Sequence, residues 1–351
     1  MQGRDKVQSQ LFGTIPLEMV LAADHPLRKI RADFDIAFAR LSDAFETSYG
    51  TTGNPSVPTS VLLRAFLLKA LYSIKSERAL CESIELNVGY RWFVGLDWDD
   101  KVFDHSTLST NRKRLFGSGA AEALLGEVVR LASSRRLLSS DRLVVDGTQI
   151  KAWASHKSFK SKDGSDEDKP NFKGTKRSNK THASTTDPDS RLLRKGPGKE
   201  SMLCHLGHAM VDSVSGLVRA CRVTKACGLG GEAEVVTAIE LAEEHMRRGQ
   251  FLVADRGYDT PAFVEGLKAL GIRAHPRARK KNSALHARTT KSKSYEAGLK
   301  RRYIVEPVFA WIKDSGRLRQ TKLRGTEKVG WELHIQCIAY NLKRMAIAAM
   351  A

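Results

Sequence analysis

The first 140 residues carry the apolar spacing of amphipathic helices. From Pro26 to Phe45, apolar side chains recur every three or four positions, which places them on one face of a helix. A second helix is predicted from Thr59 or Ser60, either of which can cap it, to about Ser73. A third is predicted near residues 77–86. We therefore predict an all-helical N-terminal domain over residues 1–140.

A polar and basic helix is predicted to follow, with Ser106 as its cap. Its first turns contain Asn111, Arg112 and Lys113. Two short helices ahead of such a helix are compatible with a helix-turn-helix, in which early residues of the last helix contact base edges. No sequence code fixes that geometry, and a small helical bundle with one charged outer helix is an equal alternative. Asn111, Arg112 and Lys113 are thus candidate DNA-binding residues.

After residue 140 the pattern changes to short apolar runs. Residues 142–150 and 251–258 read as strands that are buried on both faces. Between them, residues 202–210 and 216–224 are predicted to form a hairpin, and residues 232–247 have helical spacing. Strands alternating with helices in this way indicate an α/β domain with a mixed sheet and flanking helices, over residues 141–351.

The charge of the chain is strongly positive and unevenly distributed. Its 351 residues include 58 Lys and Arg against 39 Asp and Glu, a formal net charge of +19. Residues 268–328 alone hold 18 basic and four acidic side chains. So large an excess of cations is typical of proteins with a polyanionic partner, and double-stranded DNA is the leading candidate.

Composition also argues against several classes of protein. A hydrophobic fraction of 41% is enough for real cores, so the chain is not globally disordered. Five scattered cysteines do not form the framework of a secreted, disulfide-rich domain. We see no signal peptide and no membrane span, and we expect a cytoplasmic protein with reduced thiols. Residues 155–200 are basic, polar and without apolar periodicity, so we expect a mobile insertion there, with a plain solubilising loop as the alternative.

Both buried strands are predicted to end in an acidic residue followed closely by glycine. Asp146 precedes Gly147, and Asp255 lies two residues before Gly257. If the two strands are parallel neighbours, both carboxylates lie in the crevice where open α/β sheets bind ligands. They would repel each other unless a cation lies between them, and an all-oxygen set favours Mg²⁺ or Mn²⁺. The alternative is that Asp-Gly is an ordinary turn signal at a strand end.

Glu306 is one of the few acids in the basic block. The apolar residues around it have helical spacing, so the segment can pack on the sheet with Arg302, Glu306 and Lys313 at the rim. Pro307 is tolerated only in a first turn, so the helix is predicted to begin near Ile304, with Arg302 ahead of it. The alternative is a surface glutamate paired with neighbouring cations.

Together these residues resemble the DDE transposases of bacterial insertion sequences, and most closely the insertion-sequence-five type. The resemblance rests on Asp146, Asp255 and the spacing Arg302-x3-Glu306-x6-Lys313. Other similar stretches are RWFVGL at 91–96, DHST at 104–107, AWASHKS at 152–158, THASTTDP at 181–188 and AYNLKR at 339–344. One departure is Leu299, which stands where the family signature normally has tyrosine.

The resemblance implies an RNase H-like catalytic domain and cut-and-paste movement of DNA. Asp146 would bridge two Mg²⁺ or Mn²⁺ ions, with Asp255 and Glu306 holding one each, as two-metal phosphodiester chemistry requires. Arg302 and Lys313 would hold phosphates, and the run that contains Lys300 and Arg301 is expected to contact DNA as well. A homodimer on DNA, in association with the bacterial nucleoid, is implied by the same resemblance.

Two other functions remain open from the sequence. A catalytically silent, DNA-binding relative would share the charge and the helices, and an RNase H-like nuclease without strand transfer would share the acids. Structural zinc fits poorly, because Cys204 and His208 share one side of a strand while His205 points away. Trp153 and Tyr258 follow the two catalytic strands, where each could stack on a displaced base or pack in the core.

Overall fold

The structure, a computed structural model, describes residues 16–41, 57–116, 119–139, 141–164, 177–194, 198, 200–226 and 232–348. The N-terminal part is helical, as predicted. Its helices are α1 (Leu17–Val20), α2 (Pro26–Ala39), α3 (Thr59–Leu71), α4 (Glu77–Leu86), α5 (Val88–Val94), α6 (His105–Phe116) and α7 (Ala120–Ser134).

The helix starts follow local capping chemistry, with two corrections to the predicted caps. Helix α3 begins after Pro58 and has no side-chain cap, so neither Thr59 nor Ser60 has the predicted role. At α6 the cap comes from Asp104, whose Oδ1 accepts a hydrogen bond from the backbone N–H of Ser106. The predicted extension of α2 to Phe45 falls outside the described residues.

The second half of the chain forms a mixed six-stranded sheet and a separate two-stranded sheet of β2 and β3. The strands are β1 (Arg142–Lys151), β2 (Phe159–Ser161), β3 (His182–Ser184), β4 (Arg191–Arg194), β5 (Ser201–Asp212), β6 (Val218–Lys225), β7 (Phe251–Ala254) and β8 (Arg273–Pro276). Strand β1 is central, antiparallel to β5 and parallel to β7, which is parallel to β8. Strands β4 and β6 pair with successive parts of β5. The predicted mixed sheet and the predicted hairpin are confirmed.

Strand β7 is shorter than predicted. It stops at Ala254, because Oδ1 of Asp255 accepts a hydrogen bond from the backbone N–H of Gly257 and starts a 3-10 turn over Arg256–Tyr258. The sequence run FLVADRGY is apolar enough for a longer strand, and the capping carboxylate ends it.

The expectation of a mobile insertion needs correction for its described residues. Strands β2 and β3 pair with each other, and β4 extends the main sheet. Ser184, Asp187 and Ser190 are buried and hydrogen-bonded to their neighbours. Order here comes from buried polar contacts, which apolar periodicity cannot reveal. Residues 165–176 lie outside the described residues.

Helices cover both faces of the sheet. The remaining helices are α8 (Glu232–His245), α9 (Pro261–Ala269), α10 (Ala287–Thr290), α11 (Lys293–Arg301), α12 (Glu306–Asp314) and α13 (Thr326–Ala348). Helices α8 and α9 bury one face against Leu143, Val145 and Leu252. The opposite face, with Val144 and Val253, belongs to a larger apolar cluster that includes α12 and α13.

Helix α13 joins the two halves of the molecule. It packs on β6 and also against α2, α3 and α7. Trp331 lies edge-on to Phe66 and Phe116, with ring centroids 4.8 and 5.4 Å away. Such aromatic pairs contribute about 0.5–1.5 kcal/mol each beyond the area they bury. Asn341 is buried and bonds both the N–H and the carbonyl of Val218 at 2.8 Å. Within the described ranges, no helix combines the length and apolarity needed to cross a bilayer.

Candidate active site

Asp146 and Asp255 occupy the same row of two parallel strands. The pairing of β1 with β7 puts Val144 opposite Val253, and each aspartate lies two residues farther on. Neighbouring strands are about 4.8 Å apart, so the two residues lie side by side, with Asp255 just after the end of β7 and Asp146 within β1, which continues to Lys151. The expectation of an acidic residue at the end of the first strand is therefore corrected. The predicted parallel pairing is confirmed.

Asp146 has a strongly perturbed carboxyl. Burial raises its pKa to about 6, and the charges of Asp255 and Glu306 raise it too, while the N–H of Gly147 and the charge of Arg302 oppose the shift. The ionised form is therefore costly here, because it is partly desolvated and faces two other acids. Asp255 and Glu306 are thus both within electrostatic reach of Asp146.

Glu306 is the first residue of α12, with Pro307 in the first turn, and a 3-10 turn over Arg302–Val305 packs on β1. Arg302 precedes the helix, close to the predicted boundary. Its Nη2 lies 3.4 Å from Oε1 of Glu306, and its guanidinium lies 4.2 Å above the ring of Tyr303. Arg302 is largely buried, whereas the Glu306 side chain is 57% exposed. Arg302 therefore orients a carboxylate that faces solvent.

The donor set fits a hard divalent cation. It consists of carboxylate oxygens, and Asp146 and Asp255 each use one oxygen to bond a neighbouring backbone N–H, which fixes their orientation. Burial is the first cause of the raised pKa of Asp146 and the charges of Asp255 and Glu306 add to it, so a cation bound here would relieve the repulsion. Among those residues, no three His, Cys, Asp or Glu side chains converge tightly enough to hold one ion together. If two ions share Asp146, each ion needs only Asp146 and one further carboxylate. The row of Asp146 and Asp255 supplies one such pair.

One residue beside this site, Glu234, was missed by sequence reasoning. The carboxylate of Glu234, in the first turn of α8, lies against the backbone of Gly147, where an added Cβ would be 2.6 Å from its Oε1. Gly147 is thus a residue inside β1 that makes room for Glu234, and the turn interpretation of Asp-Gly is wrong here. No signal in the sequence marks Glu234, because its approach depends on the packing of α8 across the sheet.

Tyr258 is fully buried, and its ring packs 5.4 Å from that of Phe263. Its hydroxyl has no hydrogen-bond partner among the described residues. Burial raises its pKa well above the ordinary value, and the charges of Glu234, Asp146 and Asp255 add to the effect. Of the two roles left open, core packing is the one that its position supports.

A basic cleft of about 900 Å³ opens between the helical half and the catalytic sheet. On one side are the α3–α4 turn and α6, and on the other are the end of α12 and the segment 316–323. We call this surface the basic cleft. Its charged and aromatic lining residues are Lys69, Lys75, Glu77, Arg112, Trp153, Lys313, Asp314, Arg317, Arg319, Lys322 and Glu332. Cations outnumber acids seven to three in that lining. Trp153 is 51% exposed, with Nζ of Lys322 5.4 Å from its ring centroid.

The candidate DNA-binding residues have different environments. Asn111 is buried, and its Nδ2 donates to the carbonyl of Thr107 at 2.9 Å. Arg112 pairs with Glu77 and lies over the ring of Phe116, while Lys113 is exposed.

In the basic block, Lys300 pairs with Glu296 at 2.8 Å, and Arg301 donates to the carbonyl of Ser213 at 3.3 Å. Lys313 lines the basic cleft about two turns after Glu306. Arg302 thus contacts one of the predicted carboxylates, Glu306, and Lys313 lies farther along the same helix.

The cysteine and histidine residues of β5 do not form a metal site. Nε2 of His205 lies 2.8 Å from Oδ2 of Asp187, and Nε2 of His208 lies 2.8 Å from Oγ1 of Thr224. Cys204 is buried as a free thiol. Both histidines thus have partners within the protein, as expected for buried strand residues.

Comparison with known proteins identifies two sequence families. The model of the transposase DDE domain matches residues 138–342, and that of a transposase domain (DUF772) matches residues 16–114. No curated protein matches the chain in sequence.

Among solved structures, the chain is similar to the piggyBac transposase synaptic complex with hairpin DNA, at 9% identity and a TM-score of 0.41, over 95% of this chain and 78% of that one. It is also similar to the Mos1 transposase paired-end complex with left transposon end, at 12% identity and 0.22, over 86% of each chain. A third similar structure is a Mos1 mariner paired-end complex with Mn, at 13% identity and a TM-score of 0.20, over 89% of this chain and 85% of that one. Likeness of this strength is too weak to assign a role to any residue.

Proposed function

The chain belongs to the transposase DDE domain family, enzymes that cleave DNA and transfer its strands with the help of divalent metal ions, and on that premise we propose that Asp146, Asp255 and Glu306 are its catalytic carboxylates. The observation that carries the assignment is the shared row of Asp146 and Asp255, where β7 ends beside the middle of β1. Glu306 is included because its charge acts on Asp146.

Each carboxylate has a separate task in this proposal. Asp146 is the shared ligand, since it interacts with both other acids. Asp255 and Glu306 each complete one ion. Two bound Mg²⁺ or Mn²⁺ ions would supply Lewis acidity to the attacking and leaving oxygens of a phosphodiester. Arg302 keeps Glu306 oriented and adds positive charge where a phosphate approaches.

DNA is proposed to enter through the basic cleft. Lys313 and Arg112 line it from opposite sides, and Trp153 offers an exposed ring at its wall. Lys113, Lys300 and Arg301 remain proposed phosphate contacts outside the lining of the cleft.

Asn111 is left out of the proposed contacts. Its side chain is buried and bonded within its own helix, so it would have to leave that position to reach a base. A small helical bundle therefore accounts for α6 better than base readout at this residue.

The proposed division of labour follows the predicted boundary near residue 140. Residues 1–140 are proposed to help recognise the ends of the element, and residues 141–351 to carry out the chemistry. The separate family matches over 16–114 and 138–342 support that division. We also propose that two copies act together on DNA, which light scattering of the complex with an end duplex would test.

The decisive experiment uses purified protein, Mg²⁺ and DNA that carries the element's own ends. Asp146→Asn, Asp255→Asn and Glu306→Gln should each reduce strand cleavage by at least about 1,000-fold, as losses of electrostatic stabilisation do. Binding of the end duplex should change less than about threefold. Glu265→Gln, an exposed acid on α9, is the matched control and should cleave normally.

The products of the same assay separate the alternative functions. Joining of cleaved ends to a target plasmid indicates a transposase, and nicking without joining indicates a nuclease. Binding alone indicates a silent relative. Cleavage that survives in one of the three variants overturns the assignment of that residue.

A further inference from the structure

A second positive surface lies apart from the basic cleft. Residues 277–293, which we call the basic arm, connect β8 to α11, and the chain has no acidic residue between Glu265 and Glu296. Its cations are Arg277, Arg279, Lys280, Lys281, Arg288, Lys291 and Lys293. All seven are exposed, and within the described ranges none of them pairs with a carboxylate. The arm therefore presents its charge directly to solvent.

The arm is held in a defined shape in spite of its like charges. Asp259 is fully buried, and its two oxygens accept the backbone N–H groups of Arg279 and Ala284 at 2.6 and 2.9 Å. The hydroxyl of Tyr295 donates to the carbonyl of Pro276 at 3.0 Å and accepts the N–H of Ala278 at 2.8 Å. These anchors bond the backbone and leave the cationic side chains outside. Such an arrangement suits a polyanionic ligand that neutralises the repulsion.

The arm begins at the catalytic edge of the sheet. The register pairs Ala254 with Pro276, so Arg277 follows β8 in the row of Asp255, and its N–H donates to the carbonyl of Ala254 at 3.1 Å. Nη2 of Arg279 lies 3.4 Å from the carbonyl of Gly257, in the turn after Asp255. A duplex on the arm would therefore lie next to the carboxylates.

The arm and the basic cleft differ in what they can recognise. The cleft combines its cations with Trp153 and the amide of Gln320, groups that can contact bases. The arm contains no Phe, Tyr or Trp, and its exposed groups are mostly long cations suited to phosphates. Phosphate contacts position a duplex without reading its sequence. The arm is thus suited to DNA of any sequence.

We propose that the basic arm holds the target duplex through its phosphates, while the basic cleft holds the end of the element. This inference rests on the proposed function of the cleft and deepens it, because it assigns the two DNA substrates of strand transfer to two surfaces on either side of one set of carboxylates.

The test is a fourfold variant of the arm, Lys280→Ala, Lys281→Ala, Arg288→Ala and Lys291→Ala, which spares the anchored residues. Its control removes four exposed cations elsewhere, Lys29, Arg130, Lys268 and Lys343. Cleavage of the end duplex should stay within twofold of the unmodified protein. Strand transfer of pre-cleaved ends into a plasmid should fall at least tenfold at 150 mM salt and recover at low salt.

A binding measurement tests the arm without catalysis. Affinity for a duplex of unrelated sequence should fall in the arm variant, and its log-log salt slope should become less negative by about 3–4. Affinity for the end duplex should stay within threefold. Equal losses of end cleavage and strand transfer, or unchanged strand transfer, overturn the proposal. Cleavage surviving in Asp146→Asn would instead overturn the catalytic assignment, so the two failures are distinguishable.

Discussion

The carboxylate of Asp187 lies 2.8 Å from Nε2 of His205, and both side chains are fully buried. The other oxygen of Asp187 accepts the backbone N–H of Gly325 at 3.1 Å, just ahead of α13. One buried carboxylate therefore connects the insertion, the central hairpin and the last helix.

Asp187→Ala should destabilise the protein by about 3–5 kcal/mol, the usual cost of leaving one partner of a buried pair behind. Burial alone would raise the pKa of Asp187. The pKa is nevertheless held below its ordinary value by the hydrogen bond and charge of His205 and by the N–H groups of Gly325 and Asp189. The contribution is thus present above the ordinary aspartate pKa and is lost as the pH falls through the lowered one.

Urea unfolding at pH 7.5 and near pH 3 measures both parts of this expectation. The variant should unfold at lower urea at pH 7.5, and its deficit should shrink in acid. Asp24→Ala, at an exposed acid of the helical half, should leave the midpoint unchanged. A deficit that is independent of pH would contradict the electrostatic explanation.

Asp146→Asn should stabilise the metal-free protein at neutral pH. Because the folded pKa is raised to about 6, the carboxyl favours folding below its ordinary pKa, and that contribution is lost as the pH rises through 6. At pH 7.5 the buried charge costs on the order of 2 kcal/mol, which the amide avoids. Thermal unfolding in EDTA should show a higher midpoint for the variant, with no difference near pH 4.

If Asp146 holds ions, Mg²⁺ should make the unmodified protein unfold at a higher temperature than Asp146→Asn. Millimolar Mg²⁺ should raise the midpoint of the unmodified protein, since ligands of the folded state stabilise it, and should have little effect on Asp146→Asn. An equal response of both proteins would show that ion binding does not involve Asp146.

Two glycine substitutions should have opposite effects on stability. At Gly316, which is buried, an added Cβ would meet the amide of Gln336 and lie 2.6 Å from the carbonyl of Ile312. Gly316→Ala should therefore cost about 1–3 kcal/mol. Gly126 is exposed in α7 with open space around it, so Gly126→Ala should add about 0.5–1 kcal/mol. Denaturant midpoints compare the two, and a gain at Gly316 would contradict the packing of α13.

Trp153→Ala and Lys322→Ala should weaken binding of the end duplex in different ways. Loss of one stacked base is expected to cost about 1–3 kcal/mol and to leave the salt dependence unchanged. Loss of one phosphate contact should reduce the log-log salt slope by about 0.9. Fluorescence anisotropy across a salt series separates them. Trp98→Ala, at a similarly exposed ring outside the cleft, is the control.

Sequence patterns located β1 and β7, because the apolar runs that lead into Asp146 and Asp255 carry a local signal of a buried strand, although β1 continues past Asp146. The glutamate helix was also found, since Pro307 restricts where a helix can start. Glu234 and the anchoring of the basic arm by Asp259 were not found. Both features depend on contacts between segments that are distant in sequence. In the sequence itself, the residues around Glu234 have the pattern of an ordinary helix, and those of the basic arm have the pattern of an ordinary charged loop.

The place of α13 has a consequence for how the protein is made. Helix α13 packs among helices that were synthesised some 200 residues earlier. While the ribosome is still translating, the N-terminal helices lack the partner that fills their apolar groove. A nascent chain therefore has to wait until α13 has been synthesised before its first half can reach its final stability.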